Sequence, residues 1–296
     1  MHKKLKFPFI IDGGTGTELE RRGAPMNGMA WSAEAVLTHP QLLRDVHQSF
    51  LDAGAQLLIA NTFSTGIHNL EAAGLADRFE DINREAVHIV REVVKNSKKE
   101  CIVAGAISST TFTGSLDYPR LLSGESAVAQ YARQSEIQVK AGAEIIILEM
   151  MRDIEQTGYA LEGALRSGVP VWVGFTCFTG EEGQTYLLDT DIPLKRALSN
   201  LDLSKADAVG IMHTLIEHTP QAIEILKQHW EGHTFAYPHA GHFEMPNWVF
   251  HDAITPEKFA AFGRETFRSG VDAVGGCCGI TPKHIRVLSD LIENQP

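Results

Sequence analysis

Cysteine is scarce: four residues in a chain of 296 cannot frame a disulfide-bonded fold, and two of them, Cys277 and Cys278, are neighbours with poor geometry for an ordinary disulfide. Reduced thiols and a cytoplasmic setting are therefore expected. Long apolar runs are missing as well. None approaches the roughly 20 residues of a membrane-spanning helix, and the stretch 7–11 is too short for a signal-peptide core. Neither a membrane nor export is expected. Basic clusters go no further than Lys3-Lys4 and Lys98-Lys99, and 37 acidic residues against 26 basic ones leave a net charge of -11. Such a surface repels a polyanion, so nucleic acid is not an expected partner. The segment Asp12-Gly13-Gly14-Thr15-Gly16-Thr17 does not fit the dinucleotide fingerprint, and no linker or low-complexity segment divides the chain.

What is present is an alternation of short apolar runs with longer amphipathic stretches, the pattern of repeated βα units. Strands are expected at 9–12, 56–61, 102–107, 145–149, 171–176, 208–212, 234–237 and 273–276. Helices are expected between them, at 41–53, 82–95, 127–141 and 154–167 among others. Thr219-Pro220, Thr255-Pro256 and Thr281-Pro282 read as capped helix starts. Gly54, Gly142, Gly168 and Gly270 each stand where a helix ends and a strand begins, which suits a left-handed turn. Eight strands in a chain of this length favour an α/β fold of the (β/α)8 TIM-barrel type, one domain over 1–296.

In such a barrel the chemistry gathers at the C-terminal ends of the strands. Those ends carry Asp12, Asn61-Thr62, Ser108-Ser109, Glu149, His213, Tyr237-Pro238-His239 and Cys277-Cys278. Any one of them can simply begin a loop, but the set is unusually polar. The strongest signal is Gly275-Gly276-Cys277-Cys278-Gly279, because adjacent thiolates on a tight turn can reach one soft cation, with Zn2+ the expected ion. Two small cysteines filling a barrel end is the plainer reading, and it leaves the glycines unexplained.

In order and spacing, the run from Asp12 to Gly23, Asn61-Thr62-Phe63, Leu148-Glu149, Tyr237-Pro238 and the Cys277-Cys278 loop resemble the homocysteine S-methyltransferase family over nearly the whole chain. The resemblance implies a zinc-held homocysteine thiolate that takes a methyl group from a small donor and becomes methionine. S-methylmethionine or S-adenosylmethionine is the preferred donor. It also implies that Asp12 and Glu149 receive the ammonium group of the acceptor, with Gly13, Asn61 and Thr62 in the substrate site. Three positions depart from the family pattern. Met212-His213 stands where the family has Asn-Cys, Ala60 replaces a threonine, and His239 follows Tyr237-Pro238. His213 is therefore expected to join Cys277 and Cys278 as third ligand, with His239, His242 and Cys177 as alternatives. A zinc hydrolase or lyase on the same barrel, or a non-catalytic thiol-binding homologue, would share these residues.

Overall fold

The computed structural model describes residues 8–110, 122–244, 247–249 and 254–293. Eight parallel strands make up its main sheet: β1 (Phe9–Ile10), β2 (Leu57–Ile59), β3 (Ile102–Ile107), β4 (Ile145–Met151), β5 (Val171–Phe175), β6 (Ala208–Leu215), β7 (His233–His239) and β8 (Ala273–Val274). They lie in the order 1-8-7-6-5-4-3-2. A parallel bridge between Ile11 and Leu57 joins β1 to β2 and closes the main sheet into a barrel.

Alternation along the strands divides the apolar residues between two cores. Phe9, Ile11, Ile145, Ile147, Trp172 and Phe235 belong to the inner cluster. Ile10, Ile146, Leu148, Val171, Val173 and Phe175 belong to the outer one, with the helices. Inside the barrel Trp172 lies between Phe9, at 5.7 Å between ring centroids, and Phe235, at 5.1 Å. Gly174 leaves the space that the Met212 side chain fills. Trp172→Ala would open a void that the closed sheet cannot collapse into, so a loss of about 3–5 kcal/mol is expected. Denaturant unfolding monitored by circular dichroism measures it, and a midpoint like that of the parent would contradict this packing.

The outer layer contains α1 (Pro40–Asp52), α2 (Phe79–Ser97), α3 (Gly124–Ala141), α4 (Ile154–Leu165), α5 (Leu194–Asn200), α6 (Thr219–Lys227), α7 (Pro256–Arg268) and α8 (Pro282–Glu293). The four glycines at the helix-to-strand turns all have positive φ, as their spacing predicts. Thr255 caps α7 through the N–H of Lys258. Thr219 differs: it is the first helical residue of α6, and its hydroxyl donates back to the Leu215 carbonyl at 3.0 Å.

His47 on α1 is fully buried, and among the described residues neither of its ring nitrogens meets a hydrogen-bond partner. Burial lowers its imidazole to about 3 and that of His68 to about 4. Unfolded, each titrates near 6.5, so below that pH the unfolded chain binds more protons than the folded one. The stability these neutral rings allow is complete above pH ~6.5 and falls as pH drops towards 4 and 3, by about 2 kcal/mol for each ring at pH 5. Urea titrations at pH 7 and pH 5 should show that loss shrinking by about that amount in His47→Leu. An undiminished loss would place the acid sensitivity elsewhere.

Candidate active site

The C-terminal ends of the strands bring together side chains far apart in the chain. After β8 the backbone turns tightly: the Cys277 N–H donates to the Pro238 carbonyl at 2.7 Å, and the Cys278 carbonyl accepts the Ala240 N–H at 3.0 Å. At Gly279, with φ of +80°, a Cβ would run into the Ala240 carbonyl, so this turn admits only glycine. The result is two thiols side by side, their sulfurs 3.5 Å apart.

His213 reaches them from β6. That strand runs three residues beyond its expected end and shifts register between Met212 and Leu215, with His213 itself at φ +45°. β4 does the same: its register shifts between Leu148 and Met151, and Met150 has φ +56°. Such irregularities turn a side chain away from its regular alternation. Here they bring Glu149 and His213 together on either side of β5, with Glu149 Oε2 3.2 Å from His213 Nε2. His213 Nδ1 is 2.9 Å from Cys277 Sγ. Among the described residues, His213, Cys277 and Cys278 are the one set of three potential metal-binding side chains with donor atoms all within 4.8 Å of one another.

All four groups are nearly sealed from solvent: Glu149 is 4% exposed, Cys277 and Cys278 5% each and His213 7%. Burial opposes the charged imidazole, yet contacts with Cys278 and Glu149 outweigh it and raise His213 to about 9. The hydrogen bond from Cys277, with help from His213, lowers Cys278 to about 7 despite its burial. Burial and the neighbouring sulfur push Cys277 well above the ordinary thiol range. Of the two thiols, Cys278 is thus the more acidic.

A small cavity of about 40 Å³ opens beside these groups, lined among others by Gly13, Ala60, Asn61, Glu149, His213 and Tyr237. That is room for about three waters. Phe63 stacks on His213 at 5.0 Å and 23°, and Trp31 meets Phe63 edge-on at 6.2 Å. Asp12 is fully buried and is not part of the lining. One of its oxygens accepts the Ile59 N–H at 2.8 Å, and the other accepts the Tyr237 hydroxyl at 2.9 Å. Burial raises the Asp12 carboxyl well above the usual range, and the nearby charge of Glu149 adds to this.

Asn61 lines the cavity, but its amide is doubly paired with Ser32, accepting the hydroxyl at 2.8 Å and donating to the carbonyl at 2.9 Å. Thr62 lies outside the lining, and its hydroxyl accepts the Ala106 N–H at 2.8 Å. His239 meets Trp248 edge-on, His242 pairs with Glu244, and Cys177 sits in the two-stranded ribbon that follows β5. None of these three joins the His213 cluster. Trp31, Phe63 and the Tyr237 hydroxyl are the site residues to which sequence reasoning gave no role. Two of them lay within quoted motifs, whereas Trp31 had no signal.

A closed (β/α)8 barrel whose mouth gathers two thiols, an imidazole and a carboxylate around a small cavity is a barrel enzyme equipped for a soft ligand. The chain belongs to the homocysteine S-methyltransferase family, whose sequence model it matches over residues 9–292, and it is a methyltransferase. It is 26% identical to homocysteine S-methyltransferase 4 of Zea mays, across 96% of this chain and 89% of that one. It is 27% identical to the selenocysteine Se-methyltransferase of Brassica oleracea var. italica, across 94% and 87%. Among solved structures, the homocysteine methyltransferase MmuM from Escherichia coli in its metallated form superposes with a TM-score of 0.78, covering 97% of this chain and 96% of its own at 23% identity, a likeness of fold. Among the described residues no helix is long and apolar enough to cross a membrane.

Proposed function

We propose that this chain, as one barrel domain, moves a methyl group from a small onium donor to the thiolate of homocysteine or a close analogue, at Zn2+ held by Cys277, Cys278 and His213. The observation that carries this reading is the donor trio itself, two sulfurs and one imidazole nitrogen within 4.8 Å of one another beside a cavity. The set fits zinc. With sulfur at ~2.3 Å and imidazole nitrogen at ~2.0–2.1 Å, donor atoms on a shared tetrahedral ion lie roughly 3.5–3.8 Å apart. The sulfurs already stand 3.5 Å apart, and a small opening of the 2.9 Å contact between Cys277 and His213 brings that pair to the same spacing. Three protein donors also leave one position for a substrate, as in catalytic sites. When bound, zinc supplies the Lewis acidity that leaves an arriving thiol deprotonated at neutral pH.

The chain's own residues do the rest. Glu149 is the carboxylate that faces the cavity and receives the acceptor's ammonium group, while Asp12, behind it, holds the Tyr237 hydroxyl that lines the same cavity. Gly13 lets the chain approach closely, since a Cβ there would meet the Ile280 carbonyl at 2.5 Å. Asn61 ties the segment bearing Trp31 to the end of β2 through Ser32. The donor's C–S or C–N bond breaks as the acceptor's sulfur–carbon bond forms, the electron pair leaving with the donor's heteroatom. S-methylmethionine and S-adenosylmethionine are the favoured donors, and both partners are small molecules in the cytoplasm. Zinc-loaded protein with homocysteine should be offered S-methylmethionine, S-adenosylmethionine, betaine and methylfolate in turn. Methionine formed from one of the first two is the expected result. Metal-dependent hydrolysis with no methylated product would replace this reading with a hydrolase.

A further inference from the structure

The two ring nitrogens of His213 face different partners. Nε2 is 3.2 Å from Glu149 Oε2, and Nδ1 is 2.9 Å from Cys277 Sγ. A neutral imidazole has one N–H and one lone pair, and a carboxylate can only accept. A metal-bound imidazole is neutral, so when His213 ligates, its hydrogen belongs on Nε2, toward the carboxylate, and its lone pair on Nδ1, toward the thiols. The backbone supports the same arrangement. His213 and Met150, next to Glu149, both adopt left-handed φ at the register shifts of β6 and β4, a conformation that is costly for a non-glycine residue and persists only where the surroundings hold it. Phe63, stacked on the ring at 5.0 Å, restrains its plane.

We propose that Glu149 is a positioning residue for His213: Oε2 accepts the Nε2–H and fixes the imidazole in the tautomer and orientation that present Nδ1 to the metal, while Oε1 serves the ammonium group of the acceptor. The proposal rests on His213 as a zinc ligand. A carboxylate behind a ligating imidazole both aims the ring and raises its basicity, and losing one costs about 10- to 100-fold in metal affinity. One carboxylate would then link the two halves of the site, so that a change at Glu149 registers at the metal as well as at the acceptor.

The test is zinc affinity, by competition with a chromophoric chelator, with circular dichroism to verify folding. Glu149→Ala should weaken zinc about 10- to 100-fold. Glu149→Gln should retain most of the affinity, because its amide oxygen still accepts from Nε2. In a His213→Cys background Glu149→Ala should change nothing, there being no imidazole to aim. Parent-like zinc affinity in Glu149→Ala would overturn the proposal. So would equal losses in the Ala and Gln variants, or an undiminished loss in the His213→Cys background, since either would mark a general charge effect. His213→Ala separates the two levels: if it binds zinc like the parent, the ligand assignment itself has failed, whereas loss there with no effect in Glu149→Ala overturns the positioning role alone.

Discussion

Replacing Cys277 and Cys278 together with serine is expected to remove zinc and methyl transfer while leaving the barrel folded. The thiols supply two of the three donors in the cluster, and serine hydroxyls, which stay protonated near neutral pH, are poor substitutes for thiolates. The loss in zinc affinity should exceed about 100-fold, the upper figure for changing a residue that only supports a ligand. Transfer should fall with it, because a free acceptor thiol is mostly protonated near pH 7. The fold should survive, since the pair sits on the loop after β8 and serine has nearly the same size. Zinc by plasma emission and far-ultraviolet circular dichroism report the two halves of the prediction. Stoichiometric zinc in the double variant would refute the metal assignment.

His213→Ala and His213→Cys should part company. The alanine variant loses a donor in a site sealed from solvent, and zinc affinity is expected to fall by more than about 100-fold, as for the thiol pair. The cysteine variant restores the residue the family carries at this position and should keep its metal. The alanine variant differs from the parent in number of donors, the cysteine variant in charge. Two thiolates and a neutral imidazole leave a neutral centre with zinc, whereas three thiolates leave a negative one, which makes a bound acceptor thiolate more nucleophilic. His213→Cys should therefore transfer methyl faster than the parent from the same donor, provided the backbone keeps its left-handed turn. Single-turnover rates on zinc-loaded protein measure this. Slower transfer with full zinc occupancy would show that the imidazole contributes more than a ligand's charge.

The barrel was largely legible because its signals are local. The alternation of apolar runs with amphipathic stretches marked all eight strands, and the glycines at Gly54, Gly142, Gly168 and Gly270 marked the turns with the left-handed backbone the structure shows. That His213, Cys277 and Cys278 come together was legible for the same reason, since Cys277-Cys278 between glycines and His213 at a strand end are features of single segments. The register shifts in β4 and β6 were not. A bulge depends on pairing with the neighbouring strand, which leaves no period in one sequence, so both strands run past their expected ends and the contact between Glu149 and His213 was hidden. Thr62 shows a different limit. A hydroxyl at a strand end can serve a ligand or a neighbouring backbone, and here it accepts the Ala106 N–H. Asp12 has the same ambiguity: sequence places its carboxylate at the mouth, but only the fold shows both oxygens engaged, by Ile59 and Tyr237.

The most direct test of the central claim is X-ray absorption at the zinc edge on the full-length protein, before and after addition of homocysteine. Two sulfur scatterers and one imidazole are expected in the first spectrum, and a third sulfur beside the same imidazole in the second. A first spectrum without imidazole, or a second without added sulfur, would contradict it.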